Sequence, residues 1–199
     1  MFSVCRPRLF ALLSVLLALA GCSSSRDTFP PRSATEQLLL STAADRAVER
    51  LQVHWMRGKA IYVDDSHLEA YDKPYVVERV RKEVLKNGGR LVEDRAQAAV
   101  VLQVASGALS VDTGDFLIGL PQITIPIPFG GQGLTLPEVA IFKIQSRVGK
   151  AKLLFNALDA TTGAQVAPLP LAYGTAMRRF WWLLMAGPFD ASDTPRELE

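Results

Sequence analysis

Cysteine is nearly absent from this 199-residue chain: Cys5 and Cys22 are the only two, and both stand near the start. A body without cysteine excludes a disulfide framework, thiolate zinc sites and thiol nucleophiles, so the domain must be held by packing alone. Histidine is equally scarce, with His54 and His67 alone. There is no Gly-x-Ser-x-Gly elbow for a serine nucleophile. Gly130-Gly131-Gln132-Gly133 lacks the Lys-Ser/Thr and the helix start that a phosphate cradle needs. Charge of one sign is also missing. Of 22 basic residues, Arg6 and Arg8 lie in the first stretch, leaving 20 to balance 20 acidic ones. A neutral body argues against nucleic acid as a partner, because phosphate binding needs a basic surface.

What is present begins with a leader. Arg6 and Arg8 precede an apolar run of eleven residues, Leu9 to Leu19. That run is too short for a bilayer core of about 30 Å but suits a secretory signal. Leu19-Ala20-Gly21-Cys22 resembles the lipobox of bacterial lipoproteins. The resemblance implies cleavage after residue 21, palmitate and further acyl chains on Cys22, and a place in the cell envelope. Ser23 resembles an outer-membrane sorting signal, with the domain facing the periplasm. Two or more acyl chains, at about 0.8 kcal/mol per buried methylene, anchor a protein stably. Residues 22–33 are polar, contain Pro30-Pro31 and read as a tether reaching at most about 35 Å.

A single domain is expected over 34–190, followed by a loose tail at 191–199. Ser33 with Glu36 forms a capping-box pattern, and Leu40, Ala43, Ala44, Ala47, Val48 and Leu51 recur at helical spacing. The pattern predicts a helix from Thr35 to Val53. Ala60 to Val63 reads as a strand stopped by Asp64-Asp65-Ser66. A second helix is predicted from Pro74 to Lys86, with Val77, Val80 and Val84 inward and Asn87-Gly88-Gly89 ending it. Strands are predicted at Arg90–Glu93, Ala99–Leu109, Val139–Val148 and Ala151–Asp159, the last two joined as a hairpin by Gly149-Lys150. A turn at Asp159–Gly163 leads to an extended piece ending at Val166. Phe180 to Ala186 forms a last apolar run, closed by Gly187-Pro188. The expected fold is α+β, with two helices on one face of a mixed, mainly antiparallel sheet.

Residues 112–137 read as a long apolar insertion rich in proline and glycine. Phe116, Leu117, Ile118, Leu120, Ile123, Ile125, Ile127 and Phe129 lie within it, among Pro121, Pro126, Pro128 and Pro137. Each proline removes a ladder donor, so the segment is not expected as a central strand. Those eight apolar residues are the candidate partner surface, with covering the open sheet face as the alternative use. Phe180-Trp181-Trp182-Leu183-Leu184 reads either as a core strand or as an interfacial aromatic anchor. Asp64-Asp65-Ser66-His67-Leu68-Glu69 gathers carboxylates and an imidazole, but its spacing fits neither an EF-hand nor a His-x-x-x-His zinc helix. A solvated connection is expected there, and His54 reads as a helix-terminal group. No metal, cofactor or catalytic residue is expected.

Several pieces together resemble a family of small bacterial lipoproteins of unknown function. They include Thr35-Glu36-Gln37-Leu38-Leu39-Leu40-Ser41, Phe116-Leu117-Ile118-Gly119-Leu120-Pro121, Pro137-Glu138-Val139-Ala140-Ile141-Phe142-Lys143 and Tyr173-Gly174-Thr175. A looser likeness is to α+β domains of envelope-assembly lipoproteins, including curli-export types, at the level of fold alone. The expectation is a lipid-anchored, non-catalytic envelope protein whose insertion binds a protein partner or another copy. A carrier or sensor of an apolar small molecule or lipid is the alternative.

Overall fold

The computed structural model describes residues 32–51, 54–126, 133–184 and 186–194. The leader at 1–21, Cys22, most of the tether, Ile127, Phe129 and the end of the tail therefore lie outside the described residues.

Ser33 caps the first helix, α1 (Ala34–Val48), as its pattern requires. Its hydroxyl accepts from the Glu36 amide, and its own amide donates to the Glu36 carboxylate at 3.0 Å. The helix ends at Val48 and not at Val53, because the chain turns there to bury Leu51 and Met56. Strand β1 (Ala60–His67), helix α2 (Lys73–Lys86) and the two-residue β2 (Arg90–Leu91) form a parallel β-α-β unit. The expected stop at Asp64-Asp65-Ser66 is instead the second half of β1. β3 (Val100–Leu120) runs parallel to β1 on its other side.

Beyond β3 come a short pair, β4 (Ile123–Ile125) and β5 (Leu134–Leu136), then β6 (Val139–Asp159), β7 (Gln165–Ala167), β8 (Ala172–Leu183) and β9 (Ala186–Asp190). The main sheet has the order β2-β1-β3-β6-β8-β9, with β7 beside the end of β6. Its first three strands are parallel and the rest antiparallel. The sheet is thus mixed, as expected, but not mainly antiparallel, which corrects that part of the expectation. The cause is the helical crossover between β1 and β2, which returns the chain in the same direction. The α+β class holds in outline, and residues of both helices join one core with Ile61, Leu102, Val104, Leu153 and Phe155.

The expected Gly149-Lys150 hairpin is absent, since β6 passes through it without interruption. Gly149 serves a different purpose. A Cβ placed on it would lie 2.6 Å from the carbonyl oxygen of Leu39 in α1. On β8, a Cβ on Gly174 would lie 1.9 Å from the carbonyl oxygen of Ala43. Gly149 pairs with Ala176, and Gly174 with Ala151. These four small residues form a floor on which the α1 backbone rests through Ala43, Ala44 and Ala47, all buried.

A charge network joins the two helices. Arg79 of α2 reaches Asp45 at 3.1 Å and Glu49 at 3.3 Å on α1, and Glu83 at 2.9 Å on its own helix. Glu83 is 4% exposed. Burial pushes its carboxyl up, but hydrogen bonds from Arg79 and Asn87 and the nearby cations outweigh that and hold it below its usual range. Tyr75, hydrogen-bonded to Asp45 at 3.0 Å, is pushed up to about 12 by burial and by that carboxylate. The chain end is also tied. Asp193 accepts from the Met177 amide at 2.6 Å and pairs with Arg46 at 2.9 Å, so the tail is not loose up to that residue.

Replacing Gly174 with Val should cost about 3 kcal/mol or more in urea unfolding, because backbone and not a flexible side chain blocks the space. Gly58→Ala, at φ +73° with open space around it, should cost only about 1 kcal/mol. A second outcome follows from Glu83, whose carboxyl is held low in the fold. Its contribution is present above the unfolded carboxylate pKa and disappears as pH falls through the folded value. Glu83→Gln should therefore lose about 2 kcal/mol at pH 7. That deficit should vanish in unfolding curves taken below the carboxylate range.

Candidate interaction surface

The helices cover only part of the long strands. From Gly149 to Ala157, alternate residues of β6 are buried beneath them, whereas Val139 to Val148 extend past the helices. Residues 112–120 of β3 run alongside this extension and pair with it from Asp112↔Val148 to Leu120↔Val139. β8 and β9 continue the same ribbon. The expected insertion is therefore not a flap over the sheet. Its described residues form the outer half of β3 and the β4–β5 pair, ending just before β6, and its prolines fall outside β3 and β6.

Residues paired across antiparallel strands point to the same face. One face of the ribbon carries the pairs Phe116↔Ile144, Ile118↔Phe142, Phe142↔Leu183, Ile144↔Trp181 and Trp181↔Phe189. The rings of Phe116 and Phe142 meet edge to face at 6.4 Å, and those of Trp181 and Phe189 stack at 4.4 Å. Phe116 remains 54% exposed, and Ile118, Leu183 and Phe189 are exposed as well. The opposite face mixes polar and apolar groups. Asp115, Gln145 and Phe180 share one row, and Leu117, Lys143 and Trp182 the next. Its aromatic rings are covered by cations: Arg178 stands over Phe180 at 5.1 Å and Lys143 over Trp182 at 5.9 Å.

Of the eight candidate residues, Phe116, Leu117, Ile118 and Leu120 lie on β3, and Ile123 and Ile125 on β4. All six are exposed except Leu117, which is half-buried. Ile123 and Ile125 face Leu136 and Leu134 of β5. Cys22, Ile127 and Phe129 lie outside the described residues. The sequence reading missed Phe142, Ile144 and Phe189, which complete the apolar face with Leu183 of the Phe180–Leu184 run. A period-two reading of Phe142-Lys143-Ile144-Gln145, with apolar and polar residues alternating, carried that signal. Trp181 and Trp182 stand on β8, half-buried and on opposite faces of the ribbon, so the run is not the buried core strand expected as one of its two uses.

β3 also has an unpaired edge. β1 follows it only as far as Ala105, so from Ser106 to Leu120 its outer side has no strand neighbour among the described residues. Where the ribbon leaves the helices, Thr35, Gln145, Arg147, Arg178 and Phe180 line a cleft of about 130 Å³. Arg178 donates to the Thr35 hydroxyl there at 3.3 Å. Elsewhere, Asp64 and His67 stand on β1 and not in a loop. Asp64 accepts from the Ser66 amide at 3.1 Å, and Asp65 pairs with Lys73 at 3.2 Å. Hydrogen bonding from Ser66 holds the Asp64 carboxyl low against burial. No group of three or more metal-ligating side chains occurs among the described residues. His54 begins a short 3₁₀ turn after the helix has ended.

No curated protein matches the chain. Its residues 16–194, which take in the helices, the sheet and the whole ribbon, match one family along their length. The chain belongs to the Family of unknown function DUF6655.

Proposed function

We propose that this chain is a lipid-anchored protein of the bacterial cell envelope, fastened through Cys22 and facing the periplasm from the outer membrane. It works without catalysis or cofactor, as an assembly module that binds a protein partner or a second copy of itself. The single observation that carries this reading is the open edge of β3 from Ser106 to Leu120. An unpaired strand edge of that length is a ready template for another strand, and folds with nothing to bind there usually blunt it. No proline interrupts the edge, and its one long-range ion pair, Asp112 with Lys150, is made across to β6. The lipobox resemblance at Leu19-Ala20-Gly21-Cys22 supports the anchor, and the neutral charge balance supports a partner other than nucleic acid.

Carrying a small apolar ligand beneath the insertion has less support, because residues 116–120 continue the sheet as part of β3 and pair with β6. The edge reading has a direct test in living cells. A photo-reactive residue at Ser110 of the full chain should give protein adducts of discrete mass, either with itself or with one other chain. Two lysines on the edge, Thr113→Lys with Asp115→Lys, blunt strand pairing. They should cut the adduct about tenfold, equivalent to about 1.4 kcal/mol. Adducts that persist unchanged, or no protein adduct at all, would remove the edge as the binding surface.

A further inference from the structure

The far end of the ribbon has a composition that protein contact alone does not require. Residues 116–142 contain one charged group, Glu138, and it is neutralised by Lys143 at 2.7 Å. Residues 180–189 contain none. Hairpin ends are ordinarily polar, since Gly, Asn and Asp supply the turn geometry. Here the turn between β8 and β9 carries Leu184, at φ +47°, a conformation that leucine rarely adopts. Leu184 is 71% exposed, the largest exposure of any large apolar residue among those described. The other hairpin ends in β4 and β5, whose Ile123, Ile125, Leu134 and Leu136 are all exposed. Both apolar ends lie beyond the same rows of the ribbon, past Phe142 and Leu183.

A charged boundary sits behind this end. The first row behind it holds Asp115 and Asp190, and two rows further in Arg147 and Arg178 are direct register partners on β6 and β8. Like charges placed opposite each other destabilise a sheet unless anions or solvent screen them. From Val139 to Ile144 the strand advances about 17 Å, a length comparable to the hydrocarbon depth of one bilayer leaflet. The chain enters the domain at the same level. Thr35, in the first turn of α1, touches Arg178 and lines the cleft with Gln145 and Arg147. With Cys22 anchored as proposed above, the tether of about 35 Å is long enough for acyl chains and ribbon end to meet one membrane.

We infer that the apolar end of the ribbon, comprising the Phe116–Phe142–Trp181–Phe189 face, the β4–β5 pair and the Leu184 turn, with Glu138 and Lys143 as its one internal ion pair, docks into a lipid surface. The Arg147–Arg178 pair then stands at the level of the anionic headgroups. The occupant is lipid and not a soluble protein, because the apolar character includes both hairpin ends and stops where the charged rows of the ribbon begin, at Asp115 and Asp190. Lipid is thus a second contact with the membrane, independent of the acyl anchor.

The test uses the full chain carrying Trp55→Phe, which leaves Trp181 and Trp182 as the only tryptophans. It is mixed with phosphatidylethanolamine and phosphatidylglycerol vesicles whose acyl chains carry bromine. Emission should be quenched relative to unbrominated vesicles. Ile118→Asp with Leu184→Asp should abolish the quenching while the thermal unfolding midpoint stays unchanged. Equal emission from bound protein in the two kinds of vesicle overturns the inference. So does a crosslink from Phe189 that reaches only protein in the membrane-bound state. Labelled palmitate tests the anchor separately. Quenching without palmitate on Cys22 would sink the proposed anchor and leave the lipid docking intact. Palmitate without quenching would do the reverse.

Discussion

The seat of α1 on Gly149 and Gly174 is the contact on which the rest of the architecture depends. A helix normally rests on a sheet through a layer of side chains, with the backbones about 10 Å apart. Here alanines on the helix meet glycines and alanines on the sheet, and a single added methyl would strike the helix backbone. The helix is thereby locked across β6 and β8 at one level. That level divides each strand into an inner half with a core face and an outer half without one. The Arg79 network then holds α2 to α1, so the two helices form one lid over the inner half.

The outer half obeys a different rule. Inside, β6 buries Ala151, Leu153, Phe155 and Ala157 on the helix side. Past Gly149 the same side carries Arg147, Gln145 and Lys143, and the apolar residues move to the other side as Ile144 and Phe142. No bulge in the β6–β8 pairing produces this change, because the register is continuous from Phe142 to Leu153. The exchange is written in the sequence itself. A strand that turns its apolar residues to the opposite face midway cannot be serving one core throughout. Two separate environments are being addressed by one continuous ladder.

This exchange also explains which parts of the fold were legible. The α1 cap, the α2 stripe and the Asp159 turn are local devices, and each is recovered where its residues stand. Val76 and not Val77 joins Val80 and Val84 in the fully buried α2 stripe, a shift of one position on a helix face. The long strands were not legible as such. Gly149-Lys150 looks like a turn when the only known uses of strand glycine are local, and its real reason, Leu39 overhead, lies more than a hundred residues away. The parallel half of the sheet was hidden because β2 is only two residues long, too short for any periodic signal. The apolar run from Phe116 to Ile125 was found, but half of its surface comes from β6, β8 and β9, joined only by pairing.

The open edge and the apolar end constrain each other. Within hydrocarbon every backbone N–H and C=O must be paired, so a sheet with a free edge cannot enter deeply. Among the described residues, β3 has no strand neighbour on its outer side along the same stretch that carries Phe116 and Ile118. Lipid contact by a single chain is therefore limited to the depth at which water still reaches that edge. Deeper entry requires another strand along β3, which is the role assigned to the partner. At the far side, β9 carries Pro188, which offers no donor, so the two edges of the ribbon are not equivalent. The proposed strand addition at β3 and the proposed immersion of the apolar end would thus be coupled through one inventory of backbone hydrogen bonds. Whatever pairs with β3 sets how far the ribbon can sink.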